Sequence, residues 1–173
     1  MGQLRQKVDE LGQRGSNAYT LAKTNDAISF LEIISQKYDV VVANPPYTDS
    51  ADFGPELKNF IEDNYKKPYK FSGNLYSCFI KRCYELSDEN GKVGIIHPHT
   101  FMYIKTFEDV REFLIKNTHI NVLVDYGLDR VNLFGPGILL NAAFYTFDKA
   151  KYNDAEDGIY FHITVGQQEK YKK

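Results

Sequence analysis

The sequence predicts an α/β domain on a mostly parallel sheet with a more antiparallel tail. Three observations carry that prediction. The chain has 173 residues with 43% hydrophobic and 14% aromatic content, enough for one domain with a core of its own. Over the first two thirds, short apolar runs alternate with stretches of helical period, and two strand patterns follow one another near the end.

Leu4, Val8 and Leu11 stand at helical spacing within residues 3–14, and Ala27, Ile28, Leu31 and Ile34 do so within 26–37, behind the caps Thr24 and Asn25. Gly15-Ser16-Asn17 separates the two helices. Tyr38 to Ala43 reads as a buried strand that stops at Asn44-Pro45-Pro46-Tyr47. From Thr48 to Gly73 no period is sustained, and Gly54-Pro55, Pro68 and Ser72-Gly73 punctuate a long loop with one helical turn around 56–63. Leu75, Phe79, Cys83 and Leu86 form a helical stripe that ends at Asn90-Gly91. Lys92 to His97 is a short strand cut off by Pro98. Thr106 to Asp109 has the form of a capping box before a helix bearing Phe107, Val110, Phe113 and Leu114. Strands follow over His119 to Tyr126 and Leu139 to Phe147, and Ile159, Phe161, Ile163 and Val165 alternate as a fifth. The end at Lys170 to Lys173 is expected to fray.

A formal charge of −2 argues against a domain that grips nucleic acid by bulk electrostatics. Lys58, Lys66, Lys67, Lys70, Lys81 and Arg82 nonetheless gather after the proline pair, each singly readable as a solvated face. No apolar run approaches the roughly 18 to 20 residues of a membrane span and no leader opens the chain, so the expectation is a soluble, cytoplasmic protein without membrane contact. Cys78 and Cys83, five apart, suit packed reduced thiols. His97-Pro98-His99 lacks further ligands at metal spacing, and no metal is expected. Asp125 and Asp129 read as loop and cap residues, and Phe134 to Gly137 as a turn.

The chemistry concentrates at Asn44-Pro45-Pro46-Tyr47. In a mostly parallel sheet, ligands bind beyond the carboxyl ends of the strands, where this tetrapeptide falls. Each proline fixes φ and extends its predecessor, so the Asn44 and Pro45 carbonyls are held in set directions. The Asn44 amide oxygen and the Pro45 carbonyl can accept both hydrogens of an exocyclic amine while Tyr47 stacks on the ring. Two rigid acceptors would localise the amine lone pair and aim it at an electrophile.

Asn44-Pro45-Pro46-Tyr47 after Asp39-Val40-Val41-Val42-Ala43 resembles the catalytic motif of DNA adenine-N6 methyltransferases. Asn74-Leu75-Tyr76 with Phe79, Gly91 to Pro98, the Phe107 to Leu114 helix, and Leu133-Phe134-Gly135 leading to Asn141-Ala142-Ala143-Phe144 are similar to successive elements of the gamma class. The lead-in Ser35 to Val41 is most similar to the large methyltransferases of BREX-type phage defence, of the PglX kind. The resemblance covers about residues 26–148. It implies the C-terminal half of a Rossmann-like class I S-adenosylmethionine-dependent methyltransferase domain, with residues 1–25 as a helical lead-in and 149–173 as a last strand and the start of a following segment. It implies transfer of methyl from S-adenosylmethionine to adenine N6 in double-stranded DNA, with Asn44 and Pro45 holding the amine of a flipped-out base and Pro46 and Tyr47 completing the motif. Tyr47 and a second aromatic, Phe134 with Tyr126 as alternative, would stack on that base, and Phe79 would line the adenine end of the cofactor pocket. The family's glycine-rich cofactor loop has no counterpart before Asn44, where Gly2, Gly12 and Gly15 are the only glycines. The expectation is therefore a fragment, inactive alone, whose first strand lies at an open sheet edge and invites self-association. Two alternatives share the motif or its surface: a protein-glutamine or ribosomal-RNA guanine-N2 methyltransferase, and a non-catalytic module binding DNA or a partner.

Overall fold

A computed structural model of the chain describes residues 6–7, 10, 18–127, 141–149 and 157–163. The helix expected over 3–14 falls mostly outside them. Two compact units are present, Met1–Lys37 and Tyr38–Lys173.

In the first unit, α1 runs over Ala18–Ser35. It passes straight through Thr24 and Asn25, which were expected to cap it. Thr24 instead donates its hydroxyl to the Thr20 carbonyl one turn back, at 2.8 Å, as threonines inside helices do.

The second unit contains β1 (Tyr38–Ala43), α2 (Pro55–Tyr65), α3 (Leu75–Leu86), β2 (Ser87–Pro98), α4 (Glu108–Asn117), β3 (His119–Asp125), β4 (Ala142–Asp148) and β5 (Ile159–His162). The strands form one sheet in the order β1-β2-β4-β3-β5. β1 pairs in parallel with β2 and β3 with β5, whereas β4 is antiparallel to both its neighbours. Four strands therefore run one way, and the antiparallel strand sits inside the sheet.

Alternation along the strands sets the core. Val93, Ile95, Ala143, Tyr145 and Phe147 face Tyr76, Ile80 and Cys83 of α3 and Val110, Phe113 and Leu114 of α4. Ile80, Tyr145 and Phe147 are fully buried. The buried stripe of α3 is thus Tyr76-Ile80-Cys83, at helical spacing; of the expected Leu75-Phe79-Cys83-Leu86 stripe only Cys83 belongs to it, and the others lie to its side.

Three local differences from expectation have physical causes. The segment after the proline pair holds a three-turn helix, α2, whose first position is Pro55, where a missing N–H costs nothing. Ile61 is its one buried residue, packed in a small cluster with Phe53 and Cys78, so it showed no apolar period. The capping box at Thr106 does not form; Lys105–Phe107 is a 3-10 turn, and Asp109 pairs with Lys70 at 2.7 Å. Finally, β2 begins at Ser87 and takes in Asn90 and Gly91, because the register slips from Tyr38↔Ser87 to Val40↔Lys92. A Cβ on Gly91 would stand 2.7 Å from the Tyr38 carbonyl oxygen, so this bulge needs glycine.

β1 is the outermost strand on its side. Val41 and Ala43 touch the core, but Val40 and Val42 are 66% and 77% exposed, so the apolar run is a half-buried edge strand and not the buried strand expected. Among the described residues no helix is long and apolar enough to cross a membrane.

Candidate active site

Asn44 to Tyr47 follow β1 directly, at the carboxyl ends of the parallel strands. Pro45 is buried, Asn44 and Pro46 are exposed, and Tyr47 is half-buried. The Tyr47 hydroxyl donates to the Asn44 amide oxygen at 2.8 Å, which fixes the rotation of that amide. Burial pushes the Tyr47 phenol up, so it stays a protonated donor at neutral pH. Its ring meets Tyr76 edge-on at 6.5 Å.

The turn is tied down from α3. The Leu75 N–H donates to the Thr48 carbonyl at 2.9 Å, and Asp49 bridges Asn74. Asn74 caps α3: its side chain accepts from Tyr76 N–H at 3.2 Å, and the Ser77 hydroxyl accepts from Asn74 N–H at 3.3 Å. Among the described residues the capping box is therefore at Asn74, beside the proline pair.

Behind Tyr76 lies His97, fully buried and stacked on the Tyr76 ring at 4.6 Å. A carbonyl only accepts, so Nδ1 donates to the Pro98 oxygen at 3.1 Å and Nε2 accepts from the Tyr145 hydroxyl at 3.0 Å. Burial lowers its pKa to about 4, and the ring is a neutral core group.

Phe79 is 37% exposed on α3, so its ring is not part of the core. Phe134 lies outside the described residues. Tyr126, its alternative, packs against Phe144 at 5.8 Å, and its N–H donates to the Ala142 carbonyl. Of the basic cluster, Lys66 pairs with Glu62, Lys70 with Asp109, and Lys81 with Glu85 and the Asn64 carbonyl, which answers much of that charge locally.

Toward the cofactor, the described residues offer little. A cavity of about 460 Å³ beside Asn44 is walled by Val42, Ala43, Gly94, Phe144 and Thr146, and among the described residues Asn44 and Thr146 are its side-chain hydrogen-bonding groups away from Tyr145. No described carboxylate lines it to hold ribose hydroxyls. The residues lining this cavity do not by themselves make a seat for S-adenosylmethionine.

Sequence reasoning missed one cluster. Asp125, at the end of β3, is 4% exposed and gathers His99, Tyr103 and His162 on its carboxylate. His99 and Asp125 were read singly, as a strand-end histidine and a loop acid. The parallel register Asp125↔His162 is what brings the third group to them.

Comparison with known proteins places these elements. Residues 3–134 match the family described as Eco57I restriction-modification methylase. The adenine-specific methyltransferase BrxX of Escherichia coli O9:H4 (strain HS) is 23% identical over 141 residues, which are 82% of this chain and 11% of that protein. Among solved structures, a candidate class I S-adenosylmethionine-dependent methyltransferase from Listeria monocytogenes aligns with a TM-score of 0.55 at 16% identity, over 74% of this chain and 37% of that one. A nuclease-deletion mutant of the Type ISP restriction-modification enzyme LlaGI, in complex with a DNA substrate mimic, aligns with a TM-score of 0.56 at 19% identity, over 83% and 14%. At such identities the structures show a shared fold, that of class I S-adenosylmethionine-dependent methyltransferases. The chain spans about a tenth of the length of curated relatives such as BrxX.

Proposed function

The chain belongs to the Eco57I restriction-modification methylase family, and from that premise we propose that it carries the amine-holding side of a site that methylates adenine N6 in double-stranded DNA. S-adenosylmethionine supplies the methyl group when bound; the chain's own residues hold and orient the acceptor. The Asn44 amide oxygen and the Pro45 carbonyl accept the two hydrogens of the target amine, Pro46 keeps the turn extended, and Tyr47 stacks on the flipped base with Phe134 as its counterpart. Phe79 is assigned to the cofactor's adenine end. The catalytic domain is assigned to residues 26–148, with 1–25 leading in and 149–173 opening the next segment.

The observation that carries this reading is the hydrogen bond from Tyr47 to the Asn44 amide oxygen. It orients the amide and leaves the oxygen's second lone pair for the incoming amine. Proximity and a preset acceptor pair then supply the catalysis. DNA as the substrate is supported by the relatives' names as adenine-specific methyltransferases and by the fold shared with an enzyme solved on a DNA substrate mimic.

The test is methylation-aware sequencing of DNA from cells with and without the full-length gene, and with Asn44→Ala in it. N6-methyladenine at a defined site should appear with the gene and disappear with the variant, while DNA binding by the purified protein persists. Methylation that survives Asn44→Ala would remove Asn44 from the chemistry.

A further inference from the structure

The carboxyl margin of the sheet carries a second cavity, of about 540 Å³, within the range of small-ligand sites. Its walls are His99, Thr100, Tyr103, Ile104, Asp125 and His162, and none of Asn44 to Tyr47 lines it.

The Asp125 carboxylate is fully engaged. One oxygen accepts from His99 Nδ1 and the Gly127 N–H, both at 2.9 Å; the other accepts from the Tyr103 hydroxyl at 2.7 Å and His162 Nδ1 at 3.0 Å. A carboxylate only accepts, so both imidazoles present a protonated Nδ1 to it, and in the neutral ring Nε2 is then an acceptor. His99 is 4% exposed, and no described group meets its Nε2. A buried ring nitrogen that no described group satisfies is costly, and His99 is one of the residues lining the cavity.

The surroundings define what would satisfy it. Tyr103 and Ile104 give aromatic and apolar walls, 63% and 43% exposed, and Thr100, whose side chain bonds Tyr76, closes the rim. The turn bearing them is pinned by Arg111, which donates to the Phe101 and Ile104 carbonyls at 2.7 and 2.8 Å. Among the described residues no lysine or arginine lines the cavity and a carboxylate forms part of it, which disfavours phosphate.

We infer that this cavity takes an amino-bearing nucleobase of the DNA other than the target adenine, with an N–H donated to His99 Nε2 and the ring laid against Tyr103 and Ile104. The inference rests on the DNA reading above. The adenine of the cofactor bears the same amine, so the test separates the two sources.

The chain labelled with ¹⁵N is titrated at about pH 8, above the ordinary imidazole range near 6.5, with single-stranded deoxyadenosine hexamer, with a hexamer of purine deoxyriboside lacking the amine, and with S-adenosylhomocysteine. The deoxyadenosine hexamer should move the His99 Nε2 resonance and the Tyr103 amide, and loss of the amine should weaken this by roughly five- to tenfold, as for one hydrogen bond. His99→Asn keeps a donor toward Asp125 but deletes Nε2 and should weaken the hexamer equally; the ligand pair on the unaltered chain decides the matter if that variant fails to fold. Equal binding without the amine, or movement of His99 by S-adenosylhomocysteine alone, overturns the inference. Movement of Asn44 and Tyr47 without His99 overturns it while leaving the methylation reading intact, and no movement at either place counts against both.

Discussion

His97 makes the stability of the fold depend on pH between about 6.5 and 4. The unfolded imidazole takes a proton at its ordinary value of 6.5, whereas the buried ring resists until about 4. Between those values the unfolded state binds more protons, so stability is complete above pH 6.5, falls on acidification through the window by about 3 kcal/mol, and levels off below it. Urea midpoints measured across that range should follow this curve. In His97→Gln, whose amide can still bridge Tyr145 and Pro98, the curve should flatten; an unchanged slope would place the effect elsewhere. Asp125 acts in a separate window. Burial raises its pKa, but hydrogen bonds from Tyr103, Gly127, His99 and His162 together hold it below 3.8, so its contribution is present above the ordinary carboxylate value and lost below it. These two residues also mark what can be read at residue scale. Asn44 to Tyr47 are contiguous, and the chemistry proposed for them is local, so the sequence can suggest it. Asp125 meets His99 across 26 positions and His162 across 37, and nothing local to any of them signals the meeting.

At the scale of elements, apolar period within the second unit found the helices that face the sheet and missed most of the one that does not. α3 and α4 bury continuous stripes, while α2 buries only Ile61 and so looked like loop. Boundaries failed where side-chain bonding decides them. Thr106 offered a capping box on paper, yet Asn74 holds the real one and with it the turn after the proline pair. Asn74→Ala should therefore cost about 1 kcal/mol of stability, the usual worth of an N-cap. Its second effect is at the site: with the Asp49 bridge loosened, amide exchange at Thr48 and Asp49 should rise more than in the strands. Exchange that rises uniformly would show a global loss and no special tie between α3 and the turn.

For the whole molecule, the alternation of strands and helices made the sheet direction legible, and four of five strands run one way. The position of β4 was not legible, because strand order depends on long-range pairing that leaves no local mark. The edge position of β1, with Val40 and Val42 exposed, supports the expectation that the purified chain self-associates. Light scattering should show mass rising with concentration, and Val42→Lys should suppress the rise; a strictly monomeric profile at high concentration would refute it. The placement of β4 also bears on how the protein comes into being. Its residues arrive late, after Asn141, yet they fill the middle of the sheet and bring Tyr145 and Phe147 to the centre of the core. During synthesis β2 and β3 must wait as a gap with two banks, and the sheet can close only when Ala142–Asp148 leaves the ribosome. A nascent chain halted before that strand would display its interior to every chaperone and protease in reach.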